Sequence, residues 1–255
     1  MTRLLSALLF MLLPLGAIAD VIPVPAGTPL ELLFRAARPG DTFILGVVDN
    51  KPTKYPGGQF FSARPGTEAL PITVKAEVSG KVIIFGSTAT RTDALGFNTS
   101  PWWTFEGIVF EGAEKTGLKV GLSDHLTIRN CIFRNNGVQG LQTGTSSFGT
   151  VTDCQFLNSA EQHGAYVSGS VQGWSFNRCT FAFNARAGLQ FNSQGSGGVS
   201  TGHSVTNCSF YANGQDNQAA AINLIGVTNS MFAGNSLSDN KAGGNENTPP
   251  KDMNS

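Results

Sequence analysis

A phenylalanine returns through this chain at a period that only a stack of like units can use. Phe85, Phe110, Phe133, Phe156, Phe181, Phe210 and Phe232 lie 25, 23, 23, 25, 29 and 22 residues apart. Cys131, Cys154, Cys179 and Cys208 stand two positions before most of them, with Ser230 in the same slot. Asn136, Asn184, Asn213 and Asn235 stand three positions after. Self-similarity at roughly 20–50 residues means stacked supersecondary units, none of which can bury its apolar face alone.

Leu126 to Thr143 shows what one unit contains. Leu126 and Ile128 share one parity, whereas Cys131 and Phe133 share a parity shifted by one. The chain must therefore bend at Asn130. Asn135-Asn136-Gly137 supplies a second turn, because Asn and Gly tolerate the left-handed backbone. Gly140-Leu141-Gln142-Thr143 is a third short strand. Three strands and three bends return the chain one strand spacing from its start. In later units Val151, Phe176, Val205 and Val227 match Ile128, and Asp153, Arg178, Asn207 and Asn229 match Asn130.

Arg3, the apolar stretch Leu4 to Leu15 and Ala17-Ile18-Ala19 read as a secretory signal peptide over residues 1–19. The apolar run is too short to span a bilayer, so no membrane insertion is expected after cleavage. The expected organisation is a repeat domain over 20–239 and a disordered tail over 240–255. Without Arg3 the 17 basic residues become 16 against 17 acidic, a net charge of −1. No basic field for nucleic acid follows. A secreted or periplasmic monomer that uses no cofactor fits this composition. Asn98-Thr99-Ser100 and Asn207-Cys208-Ser209 match the glycosylation acceptor pattern, which matters only in a eukaryotic source.

Four cysteines in an exported chain suggest two disulfides. Here all four occupy one slot, which points to a buried file of free thiols acting as small apolar residues. Disulfides between adjacent coils remain the alternative. No His keeps ligand spacing with them, which argues against a metal. Near the start, Thr28-Pro29-Leu30-Glu31 reads as a capping box opening a helix to Ala37 that covers the open end of the stack.

These slots together resemble the right-handed parallel β-helix proteins of the pectin-lyase-like superfamily. Stacked interior Cys and Phe and a ladder of Asn at one turn are that family's habits. Thr28 to Leu45 resembles the opening of secreted β-helix polysaccharide lyases, and Gly66 to Ala76 the segment that follows in them. The resemblance implies an all-β single-stranded solenoid of about 22–29 residues per coil, with an N-terminal capping helix. Its members include lyases, hydrolases, epimerases, adhesins and periplasmic accessory proteins, so a fold of this kind does not fix an activity.

The third strand carries the candidate site. Its outward residues are Lys119, Gln142, Tyr166, Gln190 and Asn223. Amides pair with hydroxyls and a ring packs on a sugar face, so the stripe suits a polysaccharide. The preceding turn adds Glu114, Lys115, Glu161, His163 and Arg186. Elimination on a uronic acid needs a base and a cation, roles that His163, Tyr166, Arg186 and Lys119 can fill as catalytic candidates. Gln142, Gln190, Asn223 and Glu161 are the substrate-binding candidates. Hydrolysis needs two carboxylates on one face. Glu161 has no evident partner there, and Asp153 falls at a bend on another edge. Of Trp102 and Trp103, one should be buried and one exposed. Three readings stand together: a lyase-type enzyme on acidic glycans, a non-catalytic glycan- or surface-binding β-helix, and a periplasmic accessory protein.

Overall fold

The computed structural model describes residues 19–215 and 221–241. The proposed signal peptide and most of the proposed tail lie outside them. Among the described residues the chain is an all-β parallel solenoid with three faces. Strands of successive coils pair in parallel into sheets of nine, eight and seven strands, and a two-stranded sheet lies outside these. A middle coil runs Thr127–Arg129 in the nine-stranded sheet, Ile132–Arg134 in the eight-stranded sheet and Gln139–Gly144 in the seven-stranded sheet.

The inferred bends are real. Asn130, Asp153, Arg178 and Asn207 all have φ between 50° and 55°. Asn135 and Asn158, at the next corner, both have φ of 55°. The phenylalanines stack in the interior: Phe110, Phe133, Phe156, Phe181 and Phe210 meet ring to ring at 4.9, 4.7, 4.8 and 4.6 Å. All five are fully buried, and burial of such a side chain contributes roughly 1.5–3 kcal/mol.

Hydrogen-bonded ladders seal the corners. Asn136 Oδ1 accepts the Ala113 N–H and its Nδ2 donates to the Phe110 carbonyl. Asn184 and Asn213 repeat the pattern. The cysteines do the same with sulfur. Cys154 Sγ accepts the Cys131 N–H at 3.4 Å, and each thiol stands 3.6–3.7 Å from a carbonyl of the preceding coil. All four are free and buried, so they are more than the apolar filler expected. Burial pushes the Cys154 thiol well up, and the bonds within the file raise Cys179 and Cys208. Ser123 and Ser146 Oγ form a third ladder by accepting the Ser100 and Ser123 N–H groups.

Three expectations are corrected. The last coil is out of step with the phenylalanine count. Phe232 pairs with Val205, while Leu237 takes the slot beside Phe210. Asn235 continues the cysteine ladder, with Oδ1 on the Cys208 N–H. Asn240, assigned to the tail, is the next rung of the asparagine ladder. Ser230, Val227 and Asn229 shift with them; Ser230 Oγ accepts the His203 N–H. The reason is coil length, since ladder partners here stand 27 residues apart and not 22.

At the other end Ile84, not Phe85, stacks on Phe110. Phe85 is exposed beneath the Lys54 ammonium, 3.4 Å from the ring centroid. The capping box does not form either. The helix spans Leu30–Ala36 with Pro29 at its N-cap and no side-chain cap. Thr28 Oγ1 instead donates to the Pro25 carbonyl, and the Glu31 N–H goes to Gln59 Oε1. The helix is held by burial: Phe34 meets Phe43, Phe61 and Trp103 edge-on at 5.2–5.5 Å.

Candidate functional site

The outward file of the seven-stranded sheet is in register. Lys119 lies beside Gln142, Gln142 beside Tyr166, Tyr166 beside Gln190 and Gln190 beside Asn223. Two earlier members escaped the sequence reading, Gly96 beside Lys119 and Phe60 beside Gly96. They lie in irregular early coils without the Cys or Asn marks. Parallel to this file, two residues on along each strand, runs Asn98, Gly121, Gly144, Ser168 and Asn192. Its second and third members, on the strands of Lys119 and Gln142, are glycines. A Cβ on Gly121 would come within 2.3 Å of Asn98 Oδ1, so the Asn98 side chain occupies the space that the missing side chain leaves.

Around Tyr166 the side chains are tied together. Asn192 Nδ2 donates to the Tyr166 hydroxyl at 3.2 Å, and Asn192 Oδ1 accepts the Gln194 N–H at 2.8 Å. The His163 ring lies 5.7 Å from the Tyr166 ring at 35°. His163 is 5% exposed, and Gln190 is 7% exposed. Gln142, Tyr166 and Asn223 are half-buried and Lys119 is exposed.

The structure thus brings His163 and Tyr166 together, with Gln142 and Gln190 on either side of Tyr166. Lys119 stands two coils away, and its ammonium is 3.9 Å from Asp93. Arg186 sits in the turn one coil beyond His163, its N–H on the Gln162 carbonyl. Glu161 is exposed in the same corner. Asp153 is at the bend of another edge, where Arg178 donates to both its oxygens and holds its carboxyl below the usual range. Near the N-terminal end of the file a cleft of about 180 Å³ is lined by Gln59, Phe60, Arg91, Asp93 and Gly96 among others. The Arg91 guanidinium lies over the Phe60 ring at 5.0 Å, and Asp93 accepts the Thr116 N–H.

A second aromatic cluster has no sequence signal. Trp102, His125 and Phe148 stack outside the solenoid with centroids 3.8 and 5.0 Å apart. Each holds φ between 58° and 61°, where bulky residues are rare. His125 is the middle ring and is covered on both faces, whereas Phe148 at one end of the stack is 42% exposed. Trp103 is fully buried, its indole N–H on the Arg64 carbonyl. His203 is buried with Nδ1 accepting the Trp174 N–H and Nε2 2.7 Å from Ser200 Oγ. Burial lowers its pKa to about 4. The Nδ1 acceptor places the proton on Nε2, so the ring donates to Ser200 and does not activate it. Among the described residues no cluster of His, Cys, Asp or Glu has metal-binding geometry.

Three parallel sheets, interior ladders and an outward polar stripe define a single-stranded β-solenoid with one elaborated face. The profile described as right-handed beta helix region matches residues 93–248, and the chain belongs to that family. A search of curated proteins by sequence returned no match. Among solved structures, pectate lyase Pel9A superposes with a TM-score of 0.63 at 18% identity, over 76% of this chain and 54% of its own. Geobacillus virus E2 ORF18 superposes at 0.62 and 15%, over 83% and 48%. The Azotobacter vinelandii mannuronan C-5 epimerase AlgE6 A-module superposes at 0.51 and 13%, over 86% and 74%. The chain therefore spans about half the length of the first two. At these identities the likeness is one of fold.

Proposed function

We propose that this chain is an exported glycan-binding β-helix whose ligand lies along the outer face of the seven-stranded sheet. The observation that carries the reading is the in-register outward file Gln142, Tyr166, Gln190, Asn223. Amide groups repeat at the strand spacing, so hydroxyls of successive sugars can be met by successive coils. Tyr166 offers a ring to a sugar face. The names of two neighbours, a pectate lyase and a mannuronan epimerase, support a glycan as the ligand. The signal-peptide pattern at residues 1–19 supports export to the periplasm or beyond.

Affinity electrophoresis through gels cast with different polysaccharides tests this. Retention by at least one polymer, reduced in Tyr166→Ala, is the expected result. Migration unaffected by every polymer would sink the reading.

A second reading, elimination at the same face, is favoured by one contact, the His163 ring 5.7 Å from that of Tyr166. In that reading His163 or Tyr166 takes the proton and Arg186 or Lys119 offsets the carboxylate. Incubation with alginate and pectate, followed by ultraviolet absorbance of unsaturated products, decides it. Absence of product from both removes it.

A further inference from the structure

The charge pattern of the face narrows the ligand class, given the glycan-binding reading above. A polymer with a carboxylate on each sugar lays a row of like charges along the solenoid axis. Each would need a cation nearby, because unit charges a few ångströms apart interact strongly beside a low-dielectric wall. The two central files offer one ionised residue, Lys119, and Asp93 already stands 3.9 Å from its ammonium. In the adjoining turns the signs alternate: Lys115 follows Glu114, and Glu161 shares a corner with Arg186. No row of cations runs along this face among the described residues. The stretch from Gln142 to Gln190 meets its ligand instead with amides, a phenol and small hydroxyls.

We infer that the segment seated there is a neutral sugar chain. Carboxamides donate and accept at once, which suits hydroxyl groups that do the same. A carboxylate accepts only, so an amide oxygen set opposite it would meet no donor. Asn192 holds the Tyr166 hydroxyl at 3.2 Å, which fixes the ring before a sugar arrives and lowers the ordering cost of binding.

The test sets galactomannan and a β-glucan against polygalacturonate and alginate in affinity electrophoresis, at low salt and at about 0.5 M salt. Retention by a neutral polymer is expected, changed less than about twofold by salt. Tyr166→Ala and Gln142→Ala should each weaken it by about tenfold or more. An unchanged unfolding midpoint confirms that these variants fold. Retention only by the acidic polymers, lost in salt, would overturn the inference while leaving glycan binding standing. Retention by none overturns both. Neutral retention indifferent to both substitutions places the ligand elsewhere and also overturns the inference.

Discussion

Phe133 and Phe232 fall in one slot of the sequence spacing, yet they sit in different files of the solenoid, which treats them differently. Phe133 is fully buried between Phe110 and Phe156. Phe232 is 36% exposed, on the last strand of its sheet with Val205 on one side only. Leu237, Met231 and Leu224 in the same final coil are exposed as well. A solenoid residue is buried by the coil before and the coil after, so position in the stack, not residue type, sets its worth. The first coils differ from the last because Leu30 and Phe34 of the helix are themselves fully buried there.

This contrast is broken or sharpened by substitution. Phe133→Ala should cost about 3–5 kcal/mol, since the cavity is closed on both sides. Phe232→Ala should cost less than about 1.5 kcal/mol. Equal losses in urea unfolding would refute the comparison. Asn184→Ala comes next. It strips the Phe156 carbonyl and the Ser159 N–H of their buried partner, at about 1–3 kcal/mol for each group left unsatisfied.

Acid tests a residue between the middle and the end. His203 falls from an ordinary 6.5 to about 4 through burial. Its neutral form is the one that fits, so the stability it contributes is complete above about pH 6.5 and is lost as pH falls toward 4. His203→Gln should flatten the unfolding midpoint across that window, and a slope identical to the parent would contradict the assignment. Tyr166→Ala should have the smallest effect on folding, within about 1 kcal/mol, because its ring lies outside the core. A large loss of stability there would mean that Tyr166 is structural.

Much of this was legible in the sequence because stacking copies like onto like. The Phe, Cys and Asn spacings mark the interior of the middle coils, and the outward parity of Gln142, Tyr166 and Gln190 follows from them. Legibility fades where coils change length. A lengthened turn moved Phe232 into the Val205 file, although its spacing from Phe210 looked regular. Phe60 and Gly96 belong to coils with no marker residues. Asn192 is an ordinary polar residue at a strand end until Tyr166 is placed beside it. Trp102, His125 and Phe148 occupy left-handed turn positions, where hydrophobic periodicity carries no information.

The asparagine ladder also has a direction. Asn136, Asn184, Asn213 and Asn240 each reach back to the coil that precedes them, taking an N–H and giving to a carbonyl. The cysteines reach back the same way. From the coil of Phe105 and Phe110 onward, the coils these ladders reach are thus latched by residues synthesised after them. For a chain threaded through a membrane N-terminus first, winding would proceed like a ratchet, each new turn of chain securing the one already wound.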